Sequence, residues 1–185
     1  MHSPPHQQPP RYDRLPLAVQ HALRLRGALV PCGPGMRGVG WPDTPRVRLA
    51  AIAETIEDGS VAALLTAAWV WGATEHPGLP LSVSGNPTRA YLRHARRYYL
   101  RFDEEEVTSF GGLRVTSPIR TILDLLHMSE AFETSERDAC TALLSLAELE
   151  VHELSQLLEN KRRPYARIAR RRFFSLAHEH DAALP

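Results

Sequence analysis

Arg163, Arg167, Arg170 and Arg171 recur at spacings of four, seven and eight residues, which return a helix to nearly the same side. Guanidinium groups in such a stripe fit phosphates or the carboxylates of a protein partner. A solvated helix face normally mixes acids with bases, yet no acid lies between Lys161 and Arg172. A second basic stretch, RAYLRHARRYYLR (89–101), interleaves Arg93, Arg96 and Arg97 with tyrosines. Arginine and tyrosine together grip phosphate and stack bases. The same pattern also suits an edge strand whose charges discourage edge-to-edge pairing. In SPIRTILDLL (117–126), Arg120 and Asp124 stand four apart, within helical reach of each other. Their simplest role is an ion pair anchoring a strand-to-helix corner. The alternative is that Arg120 reaches a phosphate or a partner carboxylate.

Catalytic chemistry finds little support. His178, His180 and Asp181 alternate near the chain end, and alternate residues on a helix do not converge on a metal. Glu159-Asn160-Lys161 imitates the Glu-x-Lys half of a nuclease site. Such sites place that segment on a strand, so that acid and lysine share a face, whereas here it ends an amphipathic helix. Cys140 follows Ala139 in a helical pattern and reads as a small buried residue. The glycines Gly33, Gly35, Gly38 and Gly40 lack the lysine and following helix of a phosphate loop. The acidic run Asp103–Glu106 reads as a solvated turn, or as a dock for the basic tail. The expectation is a protein without catalytic residues, metal or cofactor, since no nucleophile–base pair is evident.

These residues must be positioned by ordinary elements. The 185 residues, 43% of them hydrophobic, suffice for one domain with appendages. Charge is nearly balanced overall, but residues 161–185 hold seven bases against two acids. Two cysteines without CxxC spacing exclude a disulfide framework. No apolar run reaches membrane-spanning length, and the proline-rich start is unlike a signal peptide. A cytoplasmic protein without a membrane partner is expected.

Residues 1–12 read as a disordered Pro-rich tail. A helix is expected over 15–26, then a strand, loop and strand over 28–41. Thr44-Pro45 opens a helix running to about Ile56. Ser60 is placed as the cap of a helix apolar nearly all round, reaching Gly72 and lying at the centre of the protein. Four short β-branched or aromatic segments follow over 80–115. Ser117 then reads as an N-cap and Pro118 as the first helical residue. Ile119, Ile122, Leu123 and Leu126 form one apolar face, with Arg120 and Asp124 away from it. Three further helical stretches complete an α+β domain, helices packed on a small antiparallel or mixed sheet.

Three segments resemble the AbiEi-type antitoxin family of type IV toxin–antitoxin systems: VAALLTAAWVWG (61–72), HARRYYLRFDEEEVTSFGGLRVTSPIRTILDLL (94–126) and KRRPYARIARRRFFSLA (161–177). The family's T/S-x-A-A-x-x-x-G helix is met in part by Thr66, Ala67, Ala68 and Gly72. Its G-L-x-V-T-x-P-x-R-T-x-x-D-L segment is met by Gly112, Leu113, Val115, Thr116, Pro118, Arg120, Thr121, Asp124 and Leu125. The resemblance implies an N-terminal winged helix-turn-helix on operator DNA. It also implies a C-terminal domain that neutralises a nucleotidyltransferase-like toxin. On that basis the chain divides into the tail 1–12, a residual winged-helix-like segment 13–58, an α+β antitoxin-like domain 59–160 and a basic helix and tail 161–185. A winged helix places about three helices before its wing, and here only 15–26 precedes 28–41. The alternatives are therefore a stand-alone interaction module that has lost DNA binding and, further off, a nuclease-related protein.

Overall fold

The computed structural model describes residues 8–56, 59–85, 95–160 and 165–182, with the backbone alone at 160 and 178–182. Helix α1 (Leu17–Leu25) leads into an antiparallel hairpin of β1 (Leu29–Cys32) and β2 (Gly35–Gly38), with Leu29 opposite Gly38 and Cys32 opposite Gly35. Two short helices follow, α2 (Pro45–Ala51) and α3 (Ala53–Ile56). The expected single helix is thus interrupted at Ile52, whose φ of −113° and ψ of 12° leave the helical region. The hairpin crosses at this break. A Cβ on Gly35 would fall 2.1 Å from the Ala51 carbonyl oxygen, so only glycine permits the approach.

Residues 8–12, expected to be disordered, rest on the body. The Gln8 side chain lies beside Gly111, and the Tyr12 hydroxyl covers Gly38 so closely that a Cβ there would stand 2.5 Å away. A short 3-10 turn at Tyr12–Arg14 continues this segment, with Arg11 paired to Asp13.

The second sheet is mixed and has five strands in the order β5-β4-β3-β7-β6. These are β3 (Val61–Ala62), β4 (Leu81–Ser84), β5 (Ala95–Tyr98), β6 (Val107–Phe110) and β7 (Leu113–Thr116). Strand β3 is central, antiparallel to β4 and parallel to β7, with Ala62 beside both Val83 and Val115. Its existence corrects the expectation of a helix from Ser60. Ser60 is buried rather than capping, and α4 spans only Leu64–Val70. An apolar run of this kind cannot be assigned to strand or helix by periodicity, because both are enclosed on every side.

Helices α5 (Pro118–Met128), α6 (Thr134–Leu146), α7 (Val151–Asn160) and α8 (Ala166–Ala182) complete the α+β fold. One apolar cluster joins α4 to α5, α6, α7 and α8 through Ala68, Leu125, Leu143, Leu154 and Phe173. The other joins α4 to the sheet and to α2 and α3 through Val70, Leu81, Val83, Val115 and Leu49. Helix α4 therefore belongs to both cores, which suits a segment apolar nearly all round. Helix α5 is also enclosed, and every residue from Arg120 to His127 is buried. Truncation should have very unequal effects inside and outside these cores. Leu125→Ala, at a fully enclosed side chain, is expected to cost about 2–5 kcal/mol in chemical denaturation. Leu25→Ala, at a side chain 90% exposed, should stay within about 0.5 kcal/mol of the parent.

Candidate functional site

The strand-to-helix corner is built from the residues that local chemistry singles out. The Ser117 hydroxyl accepts the Arg120 backbone N–H at 3.3 Å, and Pro118 occupies the first helical position. The Thr116 and Thr121 hydroxyls meet at 2.7 Å, and the Thr121 hydroxyl lies 2.8 Å from the Ser117 carbonyl oxygen. Trp71, just past α4, donates its indole N–H to the Thr116 carbonyl at 2.8 Å. All of these polar groups are thereby satisfied beside an apolar core.

Arg120 and Asp124 do not lie outside the buried part of α5. They are 5% and 1% exposed, because the sheet-side loop covers the helix face that periodicity assigns to solvent. Arg120 Nε donates to both Asp124 oxygens at 2.8 and 2.9 Å. Its Nη1 donates to the Arg101 carbonyl at 2.9 Å and to Glu106 Oε2. The guanidinium carbon lies 4.6 Å from the centre of the Phe102 ring. Two carboxylates, a carbonyl and an aromatic face thus surround one cation, which compensates for its place in the first turn of a helix.

Glu106 is the partner that sequence reasoning missed. Asp103, Glu104 and Glu105 are exposed, as a solvated turn has them, while Glu106 turns inward to Arg120. Glu106 also receives the Asp103 backbone N–H at 3.2 Å and so closes a 3-10 turn over Glu104–Glu106. Fourteen residues separate Glu106 from Arg120, and no local periodicity connects them.

The basic stretches separate into engaged and displayed arginines. Arg93 and Arg163 lie outside the described residues. Arg96 pairs with Glu130 at 2.7 Å, and Glu130 and the Tyr98 hydroxyl hold its guanidinium above its ordinary value. Arg97 lies 5.7 Å from the centre of the Tyr99 ring and donates to its hydroxyl at 3.1 Å. Arg96 and Arg97 thus engage side chains of the protein itself, on a strand at the edge of the sheet.

On α8 the division follows the helix face. Ala169, Phe173 and Leu176 are buried, while Arg167, Arg170 and Arg171 are exposed. Arg172 comes five residues after Arg167, about 140° around the helix, and turns inward. It donates to the carbonyls of Leu126 at 2.9 Å and Ser129 at 2.7 Å, at the end of α5. Its guanidinium also packs over Phe132 at 5.3 Å. Burial pulls this group below its ordinary value. Among the described residues, Arg167, Arg170 and Arg171 form no ion pair. Phe174 and Ile168 share the outward side, 60% and 45% exposed. Phe174 also escaped the sequence reading, although it falls seven residues after Arg167 and is legible in the same period.

A basic concavity of about 330 Å³ opens between the N-terminal segment and the β6–β7 turn, lined by Arg11, Arg14 and Arg46. Arg11 there is already paired with Asp13. Cys32 and Cys140 are buried free thiols, and desolvation pushes both up, away from the thiolate form. Among the described residues, no three His, Cys, Asp or Glu side chains converge as metal ligands would. No helix of the described residues is long and apolar enough to cross a membrane. Comparison with family models, characterised proteins and solved structures finds no match for this chain.

The corner gives a direct energetic test. Arg120→Ala leaves two carboxylates without their cation and should cost about 3–5 kcal/mol. In a double-mutant cycle with Asp124→Ala, the combined loss should fall short of the sum of the single losses. Additive losses would mean that the two side chains act independently.

Proposed function

We propose that this chain is a non-catalytic regulatory protein of the antitoxin type, which grips the backbone of a nucleic acid with the outward face of α8. One observation carries the reading: Arg167, Arg170 and Arg171 are displayed together without ion pairs among the described residues, whereas Arg48, Arg96, Arg120 and Arg172 are engaged within the protein. A cluster of one sign on a folded surface attracts polyanions, and arginine matches phosphate in bidentate fashion. The GLRVTSPIRTILDL segment adds the resemblance to antitoxins, but its polar residues serve the corner, leaving contact with a partner to surfaces such as α8.

A second reading has its own support. Ile168 and Phe174 give the face an apolar component, and arginine with aromatics is also the composition of protein interfaces. Under that reading the face docks a protein such as a nucleotidyltransferase-like toxin. Catalysis is not part of either reading, both of which ask of α8 only its cations and apolar groups.

Salt titration separates the two. Binding of a labelled duplex, followed by fluorescence anisotropy, should weaken as a power of the salt concentration, with a slope of roughly −0.9 for each phosphate neutralised. The variant Arg167→Gln/Arg171→Gln should flatten that slope by up to about 1.8 and weaken all sequences alike. Its thermal stability should be nearly that of the parent, because both side chains are exposed. A double variant with unchanged nucleic-acid affinity would overturn the reading.

A further inference from the structure

The outward face of α8 carries one residue that phosphate binding leaves unexplained. Phe174 follows Arg171 by three residues, Arg170 by four and Arg167 by seven, so it sits on the same side of the helix, at the C-terminal end of the arginine stripe. The residue is 60% exposed. The ring centre lies 5.8 Å from that of buried Phe173, at an interplanar angle of 59°. The inner neighbour thus braces Phe174 from below and leaves much of its surface open to solvent. A large exposed apolar ring gains nothing from water, and the cations that lead up to it disfavour a purely apolar occupant.

From this arrangement we infer that α8 takes nucleic acid as a single strand, with an unpaired base stacked on Phe174 and the phosphates to one side of that base held by Arg167, Arg170 and Arg171. The inference rests on the reading that this face binds nucleic acid, and it specifies which form. In a duplex the base faces are covered by their neighbours, and the grooves present edges whose hydrogen-bonding groups a phenylalanine cannot read. A phenylalanine reaches base faces in a duplex only by wedging a step open, at the cost of unstacking it. A single strand offers the faces freely, and stacking on aromatic side chains tolerates any sequence. Arg167 and Arg171 are about 6 Å apart along the helix axis. That separation suits neighbouring phosphates of one strand, and Phe174 lies about 4.5 Å further on beyond Arg171, where the next base along the strand meets the ring.

Three labelled probes of equal length test this: an oligodeoxythymidine, a duplex, and an abasic oligodeoxynucleotide that keeps the phosphates without the bases. The full chain should bind the oligodeoxythymidine more tightly than either of the others. Phe174→Ala should weaken that binding about 5- to 150-fold and leave the abasic probe unaffected. Phe174→Tyr should restore most of the affinity, and Phe174→Leu, apolar without a π face, should not. Arg167→Gln/Arg171→Gln should weaken all three probes. Equal or tighter binding of the duplex, or a Phe174→Ala loss that is the same with and without bases, would overturn the single-strand inference while keeping the phosphate contact. A chain that binds none of the probes at low salt overturns the nucleic-acid reading itself and leaves the face to a protein.

Discussion

A buried cation sets the terms for the centre of this protein. Arg120 lies inside a helix whose other enclosed residues are largely apolar, and an unpaired charge there would cost several kcal/mol. The fold meets that constraint by bringing Asp124 from the same helix and Glu106 from the turn before β6 onto one guanidinium. The carbonyl of Arg101 and the ring of Phe102 complete the enclosure from the chain between β5 and that turn. Sheet and helix are thereby locked in one relative placement, since moving either would strand a charge. Such a cluster need not add net stability over an apolar replacement, but it makes wrong placements costly.

The same device recurs at two other junctions. Arg48 on α2 is held by both oxygens of Asp43 at 2.7 and 2.8 Å and donates to the Trp69 carbonyl in α4 at 2.6 Å. Its guanidinium lies 5.5 Å from the centre of the Trp69 ring. The Arg48 hydrogen bond keeps the Asp43 carboxyl below its ordinary value, so this clasp is present at neutral pH and releases only as the acid range is entered. Arg172 does for α5 what Arg48 does for α4, supplying donors to carbonyls at a helix end from a distant element. Helix C-termini leave carbonyls without intrahelical partners and carry partial negative charge, so a planar cation with several N–H groups satisfies both demands at once. Much of the arginine content of this chain is therefore internal fastening rather than partner binding.

What could be read in advance was what local geometry decides. Ser117 and Pro118 mark a helix start because cap and proline act within one turn, and the four short strands of 80–115 announce themselves by turn residues and β-branching. Arg120 and Asp124 were recognisable as a pair because four residues is one helical turn. Their burial was not, because the cover comes from Arg101, Phe102 and Glu106 across the sheet edge, and only tertiary structure brings it there. Strand β3 was hidden for a related reason: Val61 and Ala62 are surrounded by strands on both sides and helices around, so no alternation survives. The break at Ile52 answers to Gly35 in the hairpin, a contact invisible to the periodicity of α2 itself. The candidate site fell between these cases. The α8 stripe was visible in its spacing, yet the same arginine-rich run contained Arg172, whose role is structural.

That mixture on α8 bears on how a partner could be held. Phe173 and Leu176 seat the helix in the apolar cluster, and Arg172 ties it to the end of α5. The outward arginines therefore project from a backbone whose position is already fixed by packing. A flexible basic tail would lose backbone freedom on binding, a cost of roughly 1–2 kcal/mol per residue. On α8 that ordering has been completed by folding, and only side-chain rotamers remain to be restricted. The inward arginine adds to that seating, tying the helix that displays the outward ones to the end of α5. On the proposed reading, surface charge would supply the attraction, and the anchored helix would discriminate among polyanions by the spacing and shape of what it displays.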